Sequence, residues 1–378
     1  MKSELCTKLG IEFPLFAFSH CRDVVAEVTR AGGMGVFGVV TLPPEQLEQE
    51  LQWIDDRVDG KPYGVDLLVP NNFEGKSDAL DERQLLAGLP EEHLAFASQL
   101  LKQHDIDPST MDEDRRSHLR FARNLQDFGA AEMLDVALSH PVGLIANALG
   151  VPPPIMLEKA REKGVPVAAL VGAPKHAVRQ AQAGVDILVA AGGEAGGHCG
   201  DVSTLVLVPE IIEAVKPFGN VPVLAAGGIV TGRQMAGCMA MGAAGAWCGS
   251  VWLTTTEAET TPAMREKMLR ASSRDTVRSR SRTGKFSRQL RSTWTDAWEE
   301  SGPKPLPMPL QSLVAEPALA QIDKLSQGGH AGAEDLATYW VGQGVGLMNE
   351  LKSVRTLMQE FQEDFLEACE RLQTVLGD

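Results

Sequence analysis

Short apolar runs alternate with amphipathic stretches along the first part of the chain. Eight runs stand out: Phe13–Ser19, Gly35–Val40, Tyr63–Val69, Val142–Ala146, Val165–Val171, Val185–Ala191, Val221–Ala226 and Ala246–Ser250. Several are continuous Val, Ile, Leu and Ala rather than alternating apolar and polar. That pattern belongs to strands covered on both faces, as in a parallel sheet. Between them lie stretches of helical period, among them Asp23–Ala31, Pro44–Val58, Ile155–Lys163, Lys175–Ala183, Val208–Val215 and Arg233–Met241. Gly32, Gly60, Gly164, Gly184 and Gly242 follow such stretches, as glycine does where a helix ends in a left-handed residue. Eight strands with helices between them, over about 250 residues, predict an α/β fold, a (β/α)8 TIM barrel. A doubly wound open sheet is the alternative, and periodicity does not separate the two.

The pattern breaks twice. Residues 71–137 are too long for one helix between the third and fourth strands. They are rich in charge and show helical period around Leu94–Leu101 and Leu119–Phe128, so a helical insertion is expected there. After Ser250 the alternation stops. The chain therefore divides into a barrel over 1–255 and a mainly helical region over 256–378, in which Gly302–Pro309 (GPKPLPMP) reads as an extended connector. Near the C-terminus, Leu347, Leu351, Val354, Met358, Phe361, Phe365, Ala368, Leu372 and Val375 recur at alternating steps of four and three. Such a stripe belongs to a long helix packed on the barrel, or to one that pairs two copies in a homodimer.

Composition changes this picture only in part. With 44% hydrophobic and 22% charged residues, the chain of 378 residues is not disordered. No apolar run approaches the length of a membrane span, and Met1–Gly10 has no apolar stretch of a secretory signal, so a cytoplasmic protein is expected. The six cysteines form no CxxC pair and are expected to be free thiols. A net charge of −15 argues against nucleic acid as a partner. Against that background Arg265–Arg291 carries ten Lys and Arg with two acids. It is expected to be a solvated helical face, or a lid that attracts an anionic substrate or cofactor.

Glycine is more pointed. Of 37 glycines, fourteen fall between Gly184 and Gly249, where average usage predicts about five. Glycine is useful where backbone turns sharply or approaches a ligand. Gly192-Gly193-Glu194-Ala195-Gly196-Gly197-His198 follows one strand candidate, which in a barrel puts it at the catalytic rim. It presents one histidine, the side chain best suited to proton transfer near neutral pH. Ala225–Ile229 and Gly249-Ser250 end the next two strands, with Thr231 as an N-cap between them. Two such glycine-rich strand ends form the phosphate site common to barrels. No GK[ST] is present, so this is not a P-loop.

These segments resemble the nitronate monooxygenases and the related flavin-dependent enoyl-acyl-carrier-protein reductases. The carrying residues are Phe13-Pro14-Leu15, Ala31–Gly35, Gly64–Pro70, Gly193–His198, Ala225–Ile229 with Gly232, and Gly249-Ser250; a weaker match resumes at Gly342–Gly346. The resemblance implies a barrel binding FMN, its phosphate on Gly227, Gly228, Gly249 and Ser250. The flavin ring would lie near Ala17, Phe18, Ser19 and Asp66, passed closely by Gly192, Gly193 and Gly196. His198 is implied as the catalytic residue, a base on nitroalkanes or a holder of the nitro group, and no metal is implied. Asp66 stands where the family usually has Asn, and Ala191 where it often has Gln. The implied reaction takes an alkyl nitronate and O2 to a carbonyl compound and nitrite. Two other readings stay open: an FMN-dependent reductase using NAD(P)H on an enoyl thioester or quinone, and a non-catalytic flavin- or phosphate-binding protein.

Overall fold

The computed structural model describes residues 3–67, 82–109, 111 and 127–376. Its strands are β1 (Leu15–Ser19), β2 (Met34–Gly38), β3 (Gly64–Leu67), β4 (Leu144–Asn147), β5 (Val167–Val171), β6 (Ile187–Ala191), β7 (Gly197–His198), β8 (Val223–Ala226), β9 (Gly245–Cys248), β10 (Thr276–Ser279) and β11 (Ser287–Leu290). Eight of them, β1–β6 with β8 and β9, form a closed parallel barrel. Closure runs through β9 and β1, with Phe16 beside Trp247 and Ala17 beside Cys248. The ring excludes the open sheet, and each of the eight apolar runs overlaps one barrel strand. Helices follow the strands, including Arg22–Arg30, Pro44–Asp55, Pro154–Glu162, Pro174–Ala183, Thr204–Val215 and Gly232–Ala240.

Strand alternation sorts the side chains into two layers. Phe16, Met34, Val36, Leu144, Ala146, Ala168, Ile187, Val189, Leu224 and Trp247 belong to the interior cluster. Leu5 and Leu9 of the short helix Glu4–Leu9 join them and cover one end. Val65 and Leu67 of β3 belong instead to an outer cluster with Leu47, Leu51 and Ile54 of the helix Pro44–Asp55. With a period of two, Asp66 between them faces inward, and so a carboxyl group stands in an otherwise apolar barrel top.

After β9 the chain is not simply helical. β10 and β11 form an antiparallel hairpin, with Arg278 opposite Arg288, and β11 pairs with β7, with Ser287 opposite His198. The helical face expected over residues 265–291 is thus corrected: only the helix Pro262–Arg270 is helical there for more than a single turn. The strand sequences Thr-Val-Arg-Ser and Ser-Arg-Gln-Leu are too short and polar to announce themselves. Their pairing is set by the neighbours they meet.

Within the insertion, the helices Glu82–Ala87, Glu91–Gln103 and Asp127–Ser139 are described. The helical pattern of residues 119–128 lies mostly outside the described residues. Glu91–Gln103 reaches the C-terminal region, where Phe96 meets Trp298 edge-on at 4.9 Å. The last helix, Val354–Leu376, packs on Gly232–Ala240 with Val354, Met358, Phe361, Phe365 and Ala368 buried. The two helices touch backbone to backbone: a Cβ on Gly232 would stand 2.0 Å from the Phe361 carbonyl oxygen. The stripe runs on past this contact, with Leu372 and Val375 exposed. No described helix is long and apolar enough to cross a membrane.

Candidate active site

A cavity of about 620 Å³ opens over the C-terminal ends of the barrel strands. That is the size of a cofactor or substrate pocket at the end of the barrel where active sites are built. Its floor is the last inward layer of the strands: Phe18, Asp66, Leu170, Ala191, Ala226 and Trp247. Of the residues singled out from the sequence, the cavity wall brings together Phe18, Ser19, Asp66, Gly196, His198, Gly227, Gly228, Gly249 and Ser250. Ala17, Gly192 and Gly193 do not line it. Ala17 alternates with its neighbours and is buried in the outer core. Gly192 is glycine because a Cβ would lie 2.2 Å from Thr204 Oγ1, and Gly193 packs on the Asp201 backbone. Their close approach is to protein.

The rim turns are held by side chains behind them. Gly227 and Gly228 have φ of +117° and +71°, a region closed to most other residues. Gln234 then locks the turn. Its Nε2 donates to the Gly228 carbonyl at 2.9 Å and its Oε1 accepts from the amides of Val230 and Thr231. Thr231 is the N-cap the sequence predicted, in a reciprocal box with Gln234. Glu194 is not in the wall. Its carboxylate accepts from the Thr204 amide and hydroxyl, both at 2.9 Å, tying its loop to the first turn of Thr204–Val215. Arg288 Nε donates to the Gly193 carbonyl at 2.8 Å.

A later segment welds these loops together. The Gln343 amide donates to the Glu194 carbonyl at 2.9 Å, and the Gly342 amide to Ser250 Oγ at 2.8 Å. Gly342 sits with its Cβ direction 2.5 Å from the Glu194 oxygen, and Gly344 with its own 2.8 Å from the Gly228 oxygen. Residues 342–346 match the family only weakly in sequence, yet they bridge three rim loops.

His198 stands on β7, half-buried, with Nε2 2.8 Å from Thr283 Oγ1. Burial, then the nearby charges of Lys285 and Arg282, lower its pKa to about 4. The imidazole is therefore neutral at pH 7. Asp66 moves the other way. Burial raises its pKa to about 7, and its Oδ1 is buried with no hydrogen-bond partner. A second wall histidine was passed over in the sequence: His20, just past β1, whose Nδ1 lies 2.8 Å from the Gly38 carbonyl oxygen. Its signal was its place at a strand end. Arg282, Thr283, Ser312, Tyr339 and Trp340 also line the cavity. Their signal was weaker, because nothing local tells which member of a polar run turns inward.

Half of the basic run is occupied, Arg288 as described above. Arg282 pairs with Glu316, Arg291 with Asp296, Arg270 with Glu266, and Lys267 reaches the Ala337 carbonyl. Arg278 and Arg280 differ: each lies 4.4 Å from the ring centre of exposed Phe286. Among the described residues neither has a carboxylate partner, nor has Lys285.

The family model for nitronate monooxygenase matches residues 2–364. The chain belongs to the nitronate monooxygenase family. It is a flavin-dependent oxidoreductase of that family. A Mycobacterium tuberculosis protein named as a monooxygenase, Rv1533, is 49% identical over 376 residues, covering 99% of each chain. Among solved structures, the nitroalkane oxidase of Streptomyces ansochromogenes has a TM-score of 0.78 at 23% identity, covering 98% of this chain and all of that one. The enoyl reductase domain of MlnA from Bacillus amyloliquefaciens has a TM-score of 0.68 at 14% identity, covering 99% and 98%. At these identities the two structures attest the fold. The nitronate monooxygenase fold is thus present with an aspartate in its floor.

Proposed function

We propose that this member of the family is an FMN-dependent nitronate monooxygenase, oxidising alkyl nitronates with O2 to a carbonyl compound and nitrite. The observation that carries this reading is that neutral His198 and the glycine turns after β8 and β9 share one cavity. The residues present fit FMN. The turns at Gly227, Gly228, Gly249 and Ser250 offer backbone to a phosphate, as in other barrels. Phe18, Ala191, Ala226 and Trp247 offer an apolar floor to a flat ring, and the orphaned Asp66 Oδ1 offers one polar contact to its edge. When bound, FMN supplies the electron transfer to O2.

The chain supplies binding, orientation and a proton acceptor. Because His198 is neutral, it can take a proton from a nitroalkane carbon or hold a nitro oxygen through its N–H. The contact with Thr283 Oγ1 fixes one ring nitrogen and leaves the other for substrate. Asp66, where the family usually has Asn, is largely neutral below pH 7. A neutral carboxyl offers one donor and one acceptor, as an amide does. The homodimer and the cytoplasmic setting expected from the sequence are kept as part of this proposal.

One observation favours a second reading, reduction by NAD(P)H. Arg278, Arg280 and Lys285 lie on or next to the hairpin that pairs with the His198 strand, without carboxylate partners among the described residues, and would suit a phosphorylated donor. Purified protein should show the yellow absorbance of oxidised flavin and release nitrite from propyl-2-nitronate in air. Anaerobic bleaching by NADPH, with none by the nitronate, would replace the first reading by the second. With a neutral nitroalkane as substrate, which must first lose a carbon proton, His198→Ala should lower kcat by about 10²–10⁴ and keep the flavin bound.

A further inference from the structure

β3 carries one carboxyl into the floor of the cavity. Val65 and Leu67, on either side of Asp66, pack outward. The floor that Asp66 shares is apolar: Phe18, Leu170, Ala191, Ala226 and Trp247. Asp66 is 5% exposed. Its Oδ1 is buried and makes no hydrogen bond, which leaves Oδ2 as the oxygen open to the cavity. Among the described residues no cation pairs with it, and burial alone raises its pKa, to about 7.

The ionisable groups around it leave that titration to Asp66. Its partners across the sheet are Gly38 on β2 and Ala146 on β4. His20, held on the Gly38 carbonyl, and His198 have their pKa values lowered chiefly by enclosure in the cavity, so both are neutral above pH 7. Burial raises the thiols of Cys21 and Cys248 and the hydroxyl of Tyr339. The charged members of the wall, Arg282 with Glu316 and the acids Glu259 and Asp323, belong to the C-terminal region. A carboxylate in an apolar floor acts strongly on any charge that forms near it. Two electrons and one proton leave a flavin ring with one negative charge, and charge beside the ring tunes its electronics. Of the two charges, the one on Asp66 is readily neutralised.

We propose that Asp66 couples proton uptake to reduction of the flavin: reduction draws a further proton from solvent onto Asp66 Oδ2, and reoxidation returns it. The balance is two electrons and one proton to the ring and one proton to the carboxylate, with no bond of the chain broken. Well below pH 7 the carboxyl is already neutral and the coupling vanishes. Asparagine, the usual residue of the family there, has no proton to take up. The inference rests on the reading above that a flavin fills the cavity, and not on a nitronate being its substrate.

The test measures the reduction potential of the flavin-loaded protein from pH 6 to pH 9, in wild type and in Asp66→Asn, with dithionite as the electron donor and reference dyes. Between pH 7 and pH 9 the reduction equilibrium of wild type should fall about 10–100-fold more than that of Asp66→Asn, about 30–60 mV for a two-electron couple. Near pH 6 the two slopes should agree. If the variant loads poorly, wild type alone decides: its potential should fall more steeply above pH 7 than below, and the visible band of its oxidised flavin should shift with a one-proton midpoint. Parallel slopes in the two proteins would overturn the coupling, and so would a wild type whose slope does not steepen and whose band does not move. Nitrite release from propyl-2-nitronate is read on the same preparations. If it fails while the slopes diverge, the coupling stands and the reaction assignment falls. If it succeeds with parallel slopes, the coupling alone falls.

Discussion

At the scale of single residues, two titrations leave opposite marks. His198 has its pKa lowered to about 4, so the folded state resists protonation that an unfolded histidine accepts near pH 6.5. Stability is lost as pH falls from about 6.5 toward 4, and an imidazole acting as base stays competent across pH 6–8. The ratio of kcat/KM between wild type and His198→Ala should therefore be flat over that range and collapse only toward pH 4. Asp66 has its pKa raised to about 7, so the unfolded state releases a proton that the fold retains. Its burial costs nothing below the unfolded value near 4, costs more as pH rises through 4 to 7, and stays constant above. Asp66→Asn should stabilise flavin-free protein at pH 8 by up to about 4 kcal/mol and leave it nearly unchanged at pH 4. Urea unfolding at the two pH values measures this. Residue identity was legible where a motif framed it, as with His198 and Asp66. Arg282 was not, because ten basic residues in one run look alike until the fold buries one of them against Glu316.

At the scale of elements, the barrel strands were readable because they are apolar on both faces, and the turns because they need glycine or a cap. The hairpin of β10 and β11 carries no such mark: its strands are four residues long and mostly polar. The segment 342–346 was visible only as a weak family match, since its glycines answer to the backbone of Glu194, Gly196 and Gly228, distant in sequence. Gly342→Ala tests this role. The added Cβ would lie 2.5 Å from the Glu194 oxygen and 3.0 Å from the Gly196 nitrogen. Such overpacking costs about 1–3 kcal/mol. The variant should keep its circular dichroism and lose bound flavin on dialysis. The last helix gives a second test. Phe361 is 1% exposed and stacks 6.2 Å from Trp252, so Phe361→Ala should lower stability by about 3–5 kcal/mol, read as a shift in the urea midpoint.

At the scale of the whole molecule, the insertion and the C-terminal region are not appendages. Leu100, Leu101, Leu313, Leu319 and Phe361 share one apolar cluster with strand residues such as Leu188 and Ala225. Sequence pattern divided the chain at residue 255, soon after the alternation stopped, because periodicity records local order and is blind to which surfaces meet. The net charge of −15 is likewise a sum that hides local structure, since Arg278, Arg280 and Lys285 stand together beside the His198 strand.

The bridge at residues 342–346 also sets an order in time. The cavity wall draws on residues from Phe18 to Gly344, while the ribosome delivers the chain from the N-terminus. All eight barrel strands emerge by residue 248, yet the rim stays unlatched for roughly a hundred residues more. Synthesis therefore passes through a stage in which the barrel has all its strands and no finished mouth. A chain halted at residue 255 should fail to retain flavin, and capture of the cofactor becomes one of the last events in the making of this protein.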